Sequence, residues 1–179
     1  MPDVVTRAML EMAENDEPEV VCTKQSTVHP KYREQYFPDL AILELCEEIP
    51  GSKEIELPPS RESKLGFSEP AILIGWGRIS RRSANPAKLQ DIRVSFLPLA
   101  VCRKMFRQRV RSGQLCFEGG EQGTCAGDAG SPLINQNDGR ETLAGIVTSV
   151  NPCGDRAKPE LHIQVAPYLD WIKDITGKI

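Results

Sequence analysis

Short β-branched and aliphatic runs, cut apart by Gly and Pro, constrain this chain more than any other feature. They fall at Leu40 to Leu45, Ala71 to Ile74, Leu89 to Leu97, Ser131 to Ile134, Leu143 to Val150 and Leu161 to Val165. Strands of this length and spacing build barrels or sandwiches, because the intervening turn residues fold each run back onto its neighbours. Beyond Val165 the period changes, and Leu169, Ile172 and Ile175 share one face of a helix. The expected class is therefore all-β with one C-terminal α-helix. The polar, turn-rich stretch from Pro58 to Lys64 reads as a linker between two halves, and no internal repeat or low-complexity tract occurs.

Composition narrows the class further. With 179 residues, 40% hydrophobic and 26% charged, the chain can bury a real core and resembles neither disordered nor membrane sequences. No apolar run approaches the ~18 residues that span a bilayer. The start, Met1 to Arg7, leads into the acidic stretch from Glu11 to Glu19 with no apolar segment typical of a signal peptide.

Six cysteines pull the other way, since disulfides persist in oxidising compartments. No Cys-x-x-Cys pair exists, and His29 and His162 lie far from any cysteine cluster, which argues against zinc; no metal or cofactor is expected. Cys22 and Cys46 either pair with each other or remain as free thiols behaving like small hydrophobes.

The segment Gly127-Asp128-Ala129-Gly130-Ser131-Pro132-Leu133 resembles the nucleophile loop of trypsin-like serine proteases, Gly-Asp-Ser-Gly-Gly-Pro-Leu, with the serine replaced by Ala129. Four more stretches carry the same resemblance in the same order. They are Asp39-Leu40-Ala41-Ile42-Leu43 after His29-Pro30-Lys31-Tyr32, Gly75-Trp76-Gly77-Arg78, the cysteines Cys102, Cys116, Cys125 and Cys153, and the tail Tyr168-Leu169-Asp170-Trp171-Ile172. Five landmarks in order, from about Val20 to the end, are specific for fold and say less about activity. The resemblance implies a trypsin-like double β-barrel. The first barrel, over 1–57, is expected to be incomplete, lacking its N-terminal half. A linker over 58–70 and a complete second barrel with the C-terminal helix over 71–179 follow. The chain would then be a natural truncation, a partner-dependent fold or an incomplete translation of a longer gene. The resemblance also implies the pairings Cys102 with Cys116 and Cys125 with Cys153, each closing a loop worth ~2–4 kcal/mol.

Acyl transfer by this mechanism needs a hydroxyl nucleophile, an imidazole within reach and a carboxylate to orient it. Only Asp39 matches, as a vestigial triad acid. Ala129 carries a methyl group, and the family's Ala-Ala-His-Cys motif is absent. His29 is expected to be an exposed loop residue, and His162, in place of a family tyrosine, a packed and hydrogen-bonded one. The amides of Gly127 and Ala129 keep the sequence for an oxyanion hole. The pocket is altered too: the floor position that reads Asp in trypsin-like members is Gly123. The segment usually reading Ser-Trp-Gly is Thr148-Ser149-Val150, and Glu160 stands where a glycine usually lets a side chain enter. The primary pocket is thus expected to be filled or closed. Asp128, whose family counterpart pairs with a new amino terminus, has no Ile-Val-Gly-Gly start to meet it. It is expected to turn outward, find Ser131 or another donor, or take a zymogen-like position.

Charge placement is the one clue to a partner. From Arg78 to Arg111 ten basic residues face one acid, Asp91, for a local +9, whereas residues 1 to 62 hold fourteen acids and six bases, for −8. The run Arg103, Lys104, Arg107, Arg109 and Arg111 is a candidate anion-binding face for an acidic protein or a sulfated polysaccharide, the bland alternative being a solvated face. No aromatic interleaving supports nucleic acid. The reading is a non-catalytic serine protease homologue that binds or regulates, as haptoglobin-like members of the family do. The alternative is a truncated or degenerate copy of a secreted trypsin-like endopeptidase. The family and the cysteines point to an extracellular location.

Overall fold

The computed structural model describes residues 7–10, 19–50, 52–63, 65, 70–86, 88–106, 110–118, 123–137, 139–148, 153 and 159–177. The chain divides into two compact units, Met1–Glu54 and Ile55–Ile179.

The first unit is an open three-stranded antiparallel sheet in the order β1-β2-β3, from β1 (Arg7–Leu10), β2 (Glu19–Val28) and β3 (Ala41–Leu45). A one-turn helix, α1 (Tyr32–Gln35), joins β2 to β3 and ends on Tyr36 in the left-handed region, φ 50°. Cys22 and Cys46 are bonded to each other, which resolves their two readings; the Cys46 amide also donates to the Cys22 carbonyl at 2.9 Å. Apolar cover is thin. Val21 and Pro38 are the only buried apolar residues of this unit among those described, while Val28 and Leu43 are 42% and 41% exposed.

The second unit is a closed six-stranded barrel with the cyclic order β4-β5-β6-β9-β8-β7. Its strands are β4 (Pro70–Gly75), β5 (Gln90–Phe96), β6 (Gln114–Glu118), β7 (Pro132–Asn137), β8 (Arg140–Ile146) and β9 (Glu160–Gln164). Closure leaves no free edge, and alternate side chains of every strand fill the interior. Ala71, Leu73, Val94, Phe96, Leu115, Phe117, Leu133, Ala144 and Val147 make up that core. Outside it, α2 (Leu99–Met105) covers β6, with the Cys102–Cys116 disulfide buried among Leu97, Leu99, Phe106, Val110 and Leu161. A single 3₁₀ turn, Ala166–Tyr168, leads into α3 (Leu169–Thr176), the terminal helix that the periodicity of Leu169, Ile172 and Ile175 predicts. The stretch before β4 belongs to this unit: Glu56 bridges Thr142, and its carbonyl accepts the Leu143 amide at 2.8 Å. The fold is thus mostly β, one sheet open and the other a closed barrel, with a short helix at the end.

Candidate functional site

The site is built on the turns between β6 and β7, where the chain approaches the end of β4. Asp128 is the hub. Its carboxylate is buried, with Oδ1 accepting the Gly77 amide at 2.8 Å and Oδ2 accepting the Cys125 amide at 2.8 Å. Asp128 does not turn outward but finds other donors than Ser131, two main-chain N–H groups. Such charge-assisted bonds repay the cost of burying the acid. The glycines of Gly75-Trp76-Gly77 follow from this geometry. A Cβ on Gly77 would overlap Cγ and both carboxylate oxygens of Asp128, and one on Gly75 would overlap Oδ1 and the Ser131 hydroxyl.

The turn itself is held by its backbone. The Gly130 amide donates to Val147 O at 2.8 Å, the Val147 amide to Ser131 O at 2.9 Å, and the Ser131 amide to Asp128 O at 2.9 Å. Gly127 and Gly130 sit at φ 105° and 91°, conformations that glycine adopts without strain. Ala129 is exposed and presents only a methyl group, which can neither attack nor exchange a proton. The Gly127 and Ala129 amides take no hydrogen-bond partner among the described residues.

Beside this turn, Gly123 and Thr124 are buried, and β9 runs opposite them. Glu160, the first residue of β9, is buried at 4% exposure and bonded on every side. The Thr124 amide donates to Oε1 at 3.0 Å and to Oε2 at 3.3 Å, and the Thr124 hydroxyl donates to Oε2 at 2.6 Å. His162 Nε2 lies 3.2 Å from the same Oε2. The Thr148 amide donates to His162 Nδ1 at 3.1 Å, so Nδ1 carries no proton. The ring proton is then on Nε2 and is donated to the Glu160 carboxylate, so a neutral imidazole donates to the carboxylate where an ion pair could have formed. The imidazole has no exposed surface and stacks on Phe117 with centroids 4.8 Å apart. Sequence reasoning assigned Glu160 a steric role and missed this network. The signal was present in Glu160-Leu161-His162, because residues two apart on a strand share a face.

The remaining candidates fall elsewhere. Ser149 and Val150 lie outside the described residues, as do Arg107 and Arg109. Arg103, Lys104 and Arg111 are exposed, the first two on the last turn of α2. Asp39 belongs to the first unit and is exposed, with no hydrogen-bond partner among the described residues. His29 departs from expectation: it is buried at 7% exposure instead of lying out on a loop. Its amide donates to Leu40 O at 2.9 Å, so the β2–β3 pairing extends one residue to His29, and Nδ1 accepts the Lys31 amide at 3.3 Å. Burial, then the nearby Lys31 charge, push its pKa below the ordinary histidine value.

A barrel with a Gly-Asp-x-Gly turn over buried Asp128 and a flanking Gly-Trp-Gly defines a trypsin-like peptidase domain. The sequence comparisons agree. The trypsin family model matches residues 3–172, and the chain belongs to that family. It is 34% identical over 176 residues to submandibular glandular kallikrein-3 of Rattus norvegicus, covering 84% of this chain and 86% of the relative. It is 30% identical over 163 residues to granzyme M of the same species (87% of this chain, 62% of the relative) and 30% identical over 164 residues to the serine protease filzig of Drosophila melanogaster (86% and 10%). The chain thus spans less than two thirds of several relatives that it matches.

Proposed function

We propose that this chain is a non-catalytic member of the trypsin family that works by binding, as a partner or regulator of other proteins. One observation carries the proposal: the turn that bears the family's nucleophile presents the methyl group of Ala129. Losing the triad costs on the order of a millionfold in turnover, and what oxyanion donors retain presupposes a bound substrate. The Glu160 network supports the reading from the pocket side, since a substrate side chain has no room where that carboxylate sits. Asp39 is, on this reading, a vestige. An extracellular location fits the three disulfides, and exposed Arg103, Lys104 and Arg111 offer charge to an acidic protein or sulfated polysaccharide. The alternative, a degenerate copy of a secreted endopeptidase with no binding role of its own, draws on the relatives, which are named as proteases and kallikreins.

The test is direct. Purified chain should not label with a serine-directed fluorophosphonate or hydrolyse peptide esters, and Ala129→Ser alone should restore neither. Stoichiometric labelling of the unmodified chain at the turn would overturn the proposal. Specific capture of one acidic partner, weakened by Arg103→Glu with Lys104→Glu, would favour binding over degeneracy.

A further inference from the structure

We infer that the space between Thr124 and β9 is a preformed carboxylate-recognition site, and that Glu160 is its resident intramolecular ligand. Three donors converge there: the amide and hydroxyl of Thr124 and Nε2–H of His162. All three meet one carboxylate, so the site has the polarity to bind an anion.

The Thr124 main chain and the His162 ring are both held by ties other than Glu160. Thr124 precedes Cys125, which is tied by its disulfide to Cys153 and by its amide to the Asp128 carboxylate. The imidazole is oriented by the Thr148 amide on Nδ1 and by stacking on Phe117. Thr148 also fixes the tautomer, because a nitrogen that accepts from an amide leaves the ring proton on the other one. Remove the Glu160 side chain, and a dry pocket with three aimed donors remains. Buried donors without acceptors are costly, so the emptied site should take up a small carboxylate from solution. In the intact chain, an acidic side chain or a terminal carboxylate could enter only by displacing Glu160. The pocket is therefore closed to ligands by occupancy, and its latent preference is for acids. That preference does not depend on whether the chain turns over a substrate.

Chemical rescue tests it. In the full chain, Glu160→Gly should lower the melting temperature, and sodium formate or acetate should raise it again along a saturable curve. The recovery should reach a few degrees when the anion stands about tenfold above its dissociation constant. Sodium chloride and methylammonium chloride at matched ionic strength should not reproduce the curve. Wild type and Glu160→Gln, whose side chains fill the space, should not respond. An equal response in wild type, equal rescue by methylammonium, or no saturable response in a folded Glu160→Gly chain would overturn the inference. Should that variant fail to fold, its refolding yield in formate against chloride reads the same preference, with equal yields counting against it. On wild type, ¹⁵N spectra should show His162 neutral and protonated on Nε2; a proton on Nδ1 would remove the geometric premise.

Discussion

Replacing Gly77 with alanine should unfold far more than a surface substitution would, because the added methyl must occupy the volume of the Asp128 carboxylate. The Cβ would overlap three atoms of that group, so Asp128 has to leave its place. Leaving breaks both of its 2.8 Å amide bonds, each charge-assisted and worth about 1.5–3 kcal/mol. It also strands the Gly77 and Cys125 amides. A loss of about 3–5 kcal/mol is expected, comparable with breaking a buried ion pair and a large part of a typical stability of about 5–15 kcal/mol. The mechanism can be isolated by a cycle with Asp128→Gly, which removes the carboxylate and makes room for the methyl. Urea unfolding read by tryptophan fluorescence gives the midpoints, with Trp76 beside the perturbation. The double variant should be more stable than the sum of the single losses predicts, by about 1–3 kcal/mol. Strict additivity would refute the view that Gly77 is glycine because Asp128 lies against it.

Two further outcomes follow from the first unit. His29 has a folded pKa below its unfolded value near 6.5, so the unfolded chain binds the proton first as pH falls. The contribution of His29 to the stability of that unit should be present above about pH 6.5 and be lost as pH drops through the folded pKa; a His29→Gln chain should lose that slope, and an unchanged slope would acquit His29. Hydrogen exchange should be fast in β2 and β3, with their exposed Val28 and Leu43, and slow in β7 and β9 around Leu133 and Ile163. Uniform protection in a monomer confirmed by ultracentrifugation would contradict the thin cover described for the first sheet.

The strands that the sequence makes visible are those with one wet face. In β4, Ala71 and Leu73 are buried and Ile72 and Ile74 less so; in β5, Val94 and Phe96 are buried while Arg93 and Ser95 are exposed. β6 escapes this rule. Leu115, Cys116 and Phe117 are all buried, because the barrel interior covers one face and α2 the other, and alternation vanishes. β8 begins earlier than its apolar run suggests, since Arg140 and Thr142 pair with Asn137 and Asn135. They line a cavity of about 600 Å³ at the hairpin end of the barrel. Polar residues at such a mouth carry no hydrophobic signal. The nucleophile turn was legible because its residue types are dictated by backbone geometry and by the Asp128 bonds. Of the Glu160 network only the Glu160–His162 pair, two apart on one strand, left a trace in the sequence; Thr124 and Thr148 come from separate stretches that only barrel closure brings to it.

The backbone ties of the turn have an evolutionary corollary. Gly130 and Ser131 are fixed to Val147 through main-chain atoms, and residue 129 points its side chain outward, so the fold is indifferent to what stands there. A hydroxyl could be lost at that position in one step, without structural penalty and without compensation elsewhere. Glu160 is the opposite case: besides the residue-124 amide its carboxylate relies on the Thr124 hydroxyl and the His162 ring, so a change at either position leaves a buried acid short of donors.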